Sequence, residues 1–430
     1  MKKYSEMTRD ELRKEEKNLE YQYEKYMLMN LKLDMSRGKP SKAQLDLSSE
    51  MLDVVNSKTD CHSEHGADCR NYGDVAGIDE AKKMLGDMVD VPWDQVIVYG
   101  NSSLSVMYDF VCRSMLKGVL GSKPWCKYDE NVKFLCPVPG YDRHFAITEY
   151  FGIDMINIPM TPEGPDMELV KKYVESDPLV KGIWCVPKYS NPQGITYSDD
   201  TVRAFANLKP AAEDFRIYWD NAYCVHHLYD DKQDELLDIL AECEKAGNPD
   251  MVYEFFSTSK VTFAGAGISG CAASYTNLDE IRHQMGIKII SYDKLNMLRH
   301  ARYLVNQEGI RKKMKQHAEI MRPKFDLVLN KLNEELSDLE IANWIEPRGG
   351  YFVAFEAMPG CATRIIELCG QAGVKMTPAG APFPYHKDPE DSVIRIAPSL
   401  PPLEELKTAM EVFTICVKRA TVEKLLSKEA

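Results

Sequence analysis

Long apolar runs, an export signal and paired cysteines are all missing from this sequence. No apolar stretch reaches the roughly 18 residues that a membrane-spanning helix needs, which excludes an integral membrane protein. The N-terminus, MKKYSEMTRDELRKEEKNLEYQYEKYM, is charged but has no apolar core behind it, so we expect an amphipathic helix and no export. The twelve cysteines lie between Cys61 and Cys416 without paired spacing, which favours free thiols in a reducing cytoplasm.

A basic excess is missing as well, because 53 lysines and arginines face 66 aspartates and glutamates, a net charge of −13. Proteins that bind nucleic acids or anionic membranes normally carry a basic excess, so we expect neither kind of partner. The hydrophobic fraction of 44% and the charged fraction of 28% are ordinary for a globular protein. A chain of 430 residues exceeds what one core usually holds, which predicts two domains.

Short β-branched or aromatic runs alternate with helix-length segments from residue 92 onward. Seven strands are predicted, at residues 95–100, 132–137, 153–159, 182–187, 215–220, 252–257 and 268–275. The alternation indicates an α/β fold, with a mainly parallel seven-stranded sheet that is covered by helices on both faces.

The C-terminal third of the chain has a different pattern. A long connecting helix is predicted over about 291–337, followed by strands, a helix near 361–372 and a final helix near 402–425. We therefore expect a large domain over 51–300 and a smaller α+β domain over 301–430. The N-terminal segment, residues 1–50, is expected to pack with the small domain.

Three polar motifs follow predicted strands, at the sheet edge where parallel sheets bind ligands. Lys260 ends the motif Ser-Thr-Ser-Lys, and it is either a desolvated nucleophilic amine or a loop lysine that reaches solvent. Asp220, three residues before Tyr223, either needs a cationic partner or caps the next helix. Asn191, in Asn-Pro-Gln-Gly, is either part of a bare turn or a donor to a ligand.

Taken together, these motifs are more specific than any one of them. Asp220 follows Asn191 by 29 residues, and Ser257 follows Asp220 by 37. The combination resembles the class I/II aminotransferases, pyridoxal-phosphate enzymes of fold type I, and most of all the bacterial aspartate aminotransferases related to the MocR aminotransferase domain. Further matching segments are SRGKPS (36–41), YGNSSLSVMYD (99–109), CPVPGYDRHF (136–145), YSNPQG (189–194) and STSKVTFAGAG (257–267).

The resemblance implies pyridoxal 5′-phosphate as the cofactor and gives roles to its ligands. Lys260 matches the Schiff-base lysine and proton carrier, Asp220 the partner of the pyridine nitrogen, and Tyr223 and Asn191 the pair that bonds the ring oxygen. Tyr141 matches the aromatic residue stacked on the ring. The phosphate would be bound by Ser102 and Ser103, which open a helix, and by Ser257 and Ser259.

The same resemblance implies how the substrate and a partner subunit are bound. Arg395 matches the arginine that grips the substrate α-carboxylate, and Gly38 and Asn191 would line the substrate site. Tyr72 resembles the tyrosine that reaches the partner's phosphate, which implies a homodimer. The implied reaction moves an amino group from an L-amino acid, aspartate, to a 2-oxo acid such as 2-oxoglutarate, with ping-pong kinetics. Candidates for binding a second carboxylate are Arg37, Lys39 and Arg143.

One position departs from the family pattern. Relatives commonly place a phosphate-binding arginine eight residues after the lysine, where this sequence has Ile268. A phosphate dianion without that guanidinium needs other donors, and we expect Thr262 to join the serines.

Other features and other functions were weighed against this interpretation. Cys61, His62, His65 and Cys69 match no standard zinc spacing, and we expect no metal. His226 and His227 are expected on a helix face or in the core and not in catalysis. The alternatives are another fold type I enzyme, a β-lyase or a decarboxylase, or a non-catalytic effector-binding module of MocR type. The first 50 residues lack the basic recognition helix of a DNA-binding protein, which argues against such a regulator.

Overall fold

The structure is a computed structural model that describes residues 2–427. The strands are β1 (Leu33–Asp34), β2 (Val96–Tyr99), β3 (Lys133–Val138), β4 (Asp154–Thr161), β5 (Gly164–Pro165), β6 (Val180–Cys185), β7 (Arg216–Asp220), β8 (Val252–Ser257), β9 (Ser269–Ala273), β10 (Ala342–Trp344), β11 (Val353–Ala357), β12 (Val374–Lys375) and β13 (Val393–Ile396). The helices are α1 (Arg9–Met27), α2 (Lys42–Asp46), α3 (Asp79–Val89), α4 (Ser103–Lys117), α5 (Asp142–Tyr150), α6 (Met167–Ser176), α7 (Asp199–Ala206), α8 (Ile239–Lys245), α9 (Tyr275–Lys288), α10 (Lys294–Leu304), α11 (Gln307–Leu336), α12 (Ala362–Gln371) and α13 (Leu403–Ser427).

The main sheet has the strand order β2-β9-β8-β7-β6-β3-β4-β5. Strands β8, β7, β6, β3 and β4 pair in parallel, whereas β9 runs antiparallel to both of its neighbours. All seven predicted strands form, and the two-residue β5 extends the sheet at one edge. The prediction of a mainly parallel sheet in an α/β fold is confirmed.

Side chains alternate between two apolar layers along each central strand, because successive residues of a strand point to opposite faces. In β7, Ile217 and Trp219 pack in one core with residues of α3 and α7, while Tyr218 packs in the other with residues of α4 and α9. Both faces are therefore covered, which explains why the strand sequences are apolar throughout.

The two ends of the chain meet in a third core. Strand β11 pairs antiparallel with β10 and β13, and β1 pairs in parallel with β12. Leu12 and Leu19 of α1 are buried in the same cluster as Phe413 of α13. The N-terminal helix thus packs on the C-terminal one, and the boundaries proposed at residues 50 and 300 stay a prediction.

The predicted connecting helix over 291–337 is wrong in one respect, because the structure divides it into α10 and α11. Val305 has a left-handed φ of 65°, and Asn306 caps α11 by accepting a 3.1 Å hydrogen bond from the amide of Gly309. A Cβ atom at Gly309 would overlap the carbonyl of Leu304, so glycine permits the tight junction.

Two features bear on the environment of the protein. None of the helices within residues 2–427 combines the length and apolar content that crossing a membrane requires. All twelve cysteines are free thiols, and most of them are buried.

Candidate active site

A cavity of about 630 Å³ lies at the carboxyl ends of β6, β7 and β8, against the C-terminal part of the chain. Seven of the predicted site residues line it, namely Gly38, Tyr141, Asn191, Asp220, Tyr223, Lys260 and Arg395. The loops after three parallel strands meet there, as the sequence predicted. The serines at 102, 103, 257 and 259 and Tyr72 are not among its lining residues.

Asp220 ends β7 as a buried carboxylate with one free oxygen. Its Oδ2 lies 2.9 Å from Nε2 of His144, whose ring stacks on Trp184. Its Oδ1 is buried and has no hydrogen-bond partner among the described residues. An unsatisfied buried acceptor is destabilising by roughly 1–3 kcal/mol, so the site fits a ligand that donates to it. The next helix, α8, is capped by Asp238, so the interpretation of Asp220 as a helix cap is wrong.

The amine of Lys260 faces the same cavity, between aromatic rings. Its Nζ lies 4.9 Å from the ring centre of Tyr223 and 5.8 Å from that of Tyr351. Burial lowers the pKa of this amine, and the Asp220 carboxylate partly offsets the shift. A lowered pKa leaves a larger fraction of the amine neutral, which is the form that attacks a carbonyl.

Two tyrosines that line the cavity stay protonated. Tyr223 is buried, and burial raises the pKa of its hydroxyl well above the usual value. Burial also raises the pKa of Tyr141 to about 12, with help from the negative charges of Asp220 and Asp142. Both hydroxyls are therefore hydrogen-bond donors across the neutral pH range.

Arg395, on β13, lines the cavity on the wall that the C-terminal part of the chain forms. Its Nη1 donates to Oδ1 of Asp142 at 2.8 Å and to Oδ1 of Asn191 at 3.3 Å. The guanidinium lies 4.9 Å from the ring centre of Phe352, while its Nε is buried without a partner among the described residues. A Cβ atom at Gly38 would overlap the Phe352 ring, so only glycine fits there.

The four serines lie around the start of α4. Ser102 is its N-cap residue but makes no side-chain cap, so the first amides of Ser103 and its neighbours have no capping side chain. Ser259 Oγ donates to the carbonyl of Asn101 at 2.9 Å, and Ser257 Oγ donates to Ser259 Oγ at 3.1 Å. Uncapped amides and hydroxyls at a helix N-terminus are suited to a phosphate.

The side chains of Thr262 and Ile268 both lie in the protein interior. Thr262 Oγ1 donates to the carbonyl of Thr258 and lies 2.9 Å from Nε2 of His300, so the expectation that it binds phosphate is not supported. Ile268 is 2% exposed and packs in the core beside the main sheet. An arginine at position 268 would need an opening that this apolar packing does not provide.

Comparison with known proteins identifies the family. The profile of the family described as "Aspartate amino-transferase" matches residues 7–429. A protein from Mycolicibacterium smegmatis, named an aminotransferase, is 44% identical over 425 residues, which cover 98% of this chain and 99% of that protein. An aspartate aminotransferase from Corynebacterium glutamicum is 45% identical over 395 residues, or 92% and 90% of the two chains. The chain belongs to the aspartate aminotransferase family.

Solved structures agree with this assignment. An aspartate transaminase from Corynebacterium glutamicum superimposes with a TM-score of 0.94 at 42% identity, over 96% of this chain and 97% of that one. The present protein is therefore an aminotransferase with the fold of fold type I pyridoxal-phosphate enzymes.

The cations that surround the cavity of this aminotransferase differ in part from those expected. Arg37 and Arg143 line it, but Lys39 does not. Lys375 and the imidazole of His386 line it as well, and no sequence motif predicted either residue. Both reach the site through tertiary packing and stand in no motif that points to it. His144 lies in the matching segment 136–145, but that segment does not show its contact with Asp220.

The remaining candidates of the aminotransferase lie outside this cavity. Tyr72 is 75% exposed, which leaves its ring available to a partner subunit. His62 pairs with Asp60 and His65 with Asp79. Within residues 2–427 no group of three metal-ligating side chains is placed to hold an ion.

Proposed function

We propose that this aminotransferase binds pyridoxal 5′-phosphate and transfers the amino group of aspartate to 2-oxoglutarate in two half-reactions. The observation that carries the proposal is the pairing, across one cavity, of the unpartnered Asp220 Oδ1 with the amine of Lys260. When bound, the cofactor supplies an electron sink for the electron pair left on the substrate Cα.

The residues present fit that group. Asp220 would accept a hydrogen bond from a protonated ring nitrogen, which would satisfy its free oxygen. Tyr223 and Asn191 would bond the ring oxygen and Tyr141 would contact the ring face, as the family resemblance implies. The phosphate is assigned to the start of α4 and its four neighbouring serines, at 102, 103, 257 and 259.

Lys260 also moves the proton in this scheme. Its lowered pKa favours the neutral amine, which takes the proton from the substrate Cα. The hydroxyls of Tyr223 and Tyr141 stay protonated at neutral pH and do not compete for that role.

The substrate proposal rests on the cations of the cavity and on the Corynebacterium relative that is named an aspartate aminotransferase. Arg395 offers a planar fork for the α-carboxylate. Arg37, Arg143 and Lys375 are exposed cations that line the cavity and provide charge for the second carboxylate of aspartate. We expect a homodimer in which the exposed Tyr72 reaches the partner's phosphate, and the free thiols support a cytoplasmic location.

A panel of amino acids and 2-oxo acids, assayed with the wild type and with Lys260→Ala, tests the proposal. We expect aspartate with 2-oxoglutarate to be the best pair and the variant to lose at least about 1,000-fold in kcat. Lys39→Ala, a lysine outside the cavity, serves as the control and should keep wild-type turnover. Full turnover by Lys260→Ala would refute the assignment, and repeated release of pyruvate together with ammonia without a 2-oxo acid would indicate a β-lyase.

A further inference from the structure

We propose that the protein has a second, non-catalytic site, which binds an α-amino acid with an apolar side chain in a cavity around Lys188. The cavity measures about 840 Å³, against 630 Å³ for the candidate active site, and the two share no lining residue. It is enclosed by the end of α3, the loops after β6 and β7, and the first turns of α11.

The ammonium of Lys188 is the group that binds the carboxylate of the proposed ligand. Its side chain lines the cavity, and the residue is only 9% exposed. Its ammonium makes no hydrogen bond or ion pair with the described residues and lies 5.8 Å from the ring centre of Tyr189. The Lys188 ammonium therefore has no acceptor among the described residues, and a carboxylate bound at Nζ would make a charge-assisted hydrogen bond with it.

The inner wall of the cavity is apolar. Met88, Ile310 and Met314 are buried residues of this wall, and Leu236 is half-buried beside them. A ligand that reaches Lys188 therefore brings an apolar group against these side chains, and the burial of that group favours binding.

The charged residues around Lys188 disfavour a ligand that carries only a negative charge. Asp234, Asp90 and Glu235 are the carboxylates whose negative charge acts on the Lys188 ammonium. Asp234 pairs with Arg348 at 3.2 Å, whereas Asp90 accepts a hydrogen bond from the neutral Gln307.

The mouth of the cavity also carries charged residues, namely Asp87, Glu308, Arg311, Lys312 and the ion pair of Lys315 with Asp230. Among the residues that line this cavity, acidic side chains outnumber basic ones. A zwitterion therefore fits better than an anion, with its carboxylate at Lys188 and its ammonium near the acidic side chains.

The second cavity contacts the same loops that hold the active site. Lys188 precedes Asn191 by three residues, and the lining residue Cys224 follows Tyr223 directly. Tyr189 Oη lies 2.6 Å from Nδ1 of His227 and accepts from the amide of Asp234 at 3.0 Å. These bonds join the loop after β6 to the loop after β7 beside the proposed ligand.

Equilibrium dialysis of radiolabelled L-leucine against the holoenzyme measures this site. The Arg395→Ala background weakens binding at the catalytic cavity, and we expect one leucine per chain to remain bound. Adding Lys188→Met should weaken that binding at least about tenfold, because the carboxylate loses its charge partner. Lys315→Met, the same exchange at an exposed position of the mouth, is the matched control and should change binding less than about twofold.

Two ligand analogues and one further variant complete the test. 4-Methylpentanoate lacks the ammonium and 3-methylbutylamine lacks the carboxylate, so both should bind several-fold more weakly than leucine. Leu236→Trp fills the cavity and should block binding even if Lys188→Met fails to fold. The proposal is overturned if the Arg395→Ala holoenzyme binds no leucine saturably, if folded Lys188→Met or Leu236→Trp keeps the affinity, or if 4-methylpentanoate binds as tightly as leucine.

Discussion

The carboxylate of Asp142 lies 2.8 Å from Nη1 of Arg395, so the arginine proposed to bind the substrate already has an internal counter-ion. Arg395 is 7% exposed, and Asp142 is the first residue of α5, where the helix dipole favours a negative charge. A substrate carboxylate that enters the cavity therefore meets an arginine that is partly neutralised.

Asp142→Asn tests whether that carboxylate competes with the substrate. The amide keeps the shape of the side chain but removes its charge, so the buried guanidinium gains more from an incoming carboxylate. We expect the KM for aspartate to fall by about three- to tenfold, with little change in kcat, in steady-state assays. Asp199→Asn, on the exposed side of α7, is the control. A higher KM would show that Asp142 positions the arginine and does not compete.

Arg395→Lys tests the planar fork itself. Lysine keeps the positive charge but cannot make two parallel hydrogen bonds to a carboxylate, and it loses the bond to Asn191. The kcat/KM for aspartate should fall by about 100-fold, which corresponds to roughly 3 kcal/mol of charge-assisted hydrogen bonding. Equal kcat/KM values for the variant and the wild type would exclude Arg395 as the carboxylate ligand.

Asp220→Asn separates function from stability. The amide can still bond His144, but it no longer holds a proton on the ring nitrogen of the cofactor, so we expect kcat to fall by about 100-fold. Because the free Oδ1 of Asp220 is buried and unsatisfied, the cofactor-free variant should melt no lower than the cofactor-free wild type. A lower melting temperature for the variant would mean that the Asp220 carboxylate stabilises the folded protein.

Much of the site could be predicted because it follows strand ends along the chain. Asp220 is the last residue of β7 and Lys260 follows the end of β8 by three residues, and the direction of parallel strands brings such positions to one edge. Asp142 and His144 lie in the first turn of α5, the helix after β3, and nothing in their local sequence shows that they face Arg395 and Asp220. Their roles depend on the packing of α5 against the sheet.

The errors in the fold have a similar origin. Residues 291–337 are rich in Lys, Arg, Glu, Leu and Met, which favour helices, so the sequence predicts one helix where the backbone turns. The signal for the break was the pair of Asn306 and Gly309, a cap and a small residue within four positions. Thr262 was assigned to the phosphate by its hydroxyl alone, but its partner is His300 of α10, 38 residues further on.

Glu254 is a buried acid beside the active-site strand. It lies on β8, is 3% exposed, and its Oε1 accepts from Nδ2 of Asn221 at 2.8 Å. Burial raises its pKa to about 8, although the Asn221 bond acts in the opposite direction. The folded protein therefore keeps a proton on Glu254 that the unfolded chain releases above about pH 4.5.

Glu254→Gln should remove a pH-dependent loss of stability. Between about pH 4.5 and pH 8 the folded wild type binds the extra proton, so its stability falls by about 1.4 kcal/mol for each pH unit from this group. Glutamine keeps the acceptor for Asn221 and does not titrate. We expect the melting temperature of the variant minus that of the wild type to increase from pH 5 to pH 8 in thermal unfolding scans. Parallel curves for the two proteins over this range would show that Glu254 ionises in the folded state with an ordinary pKa.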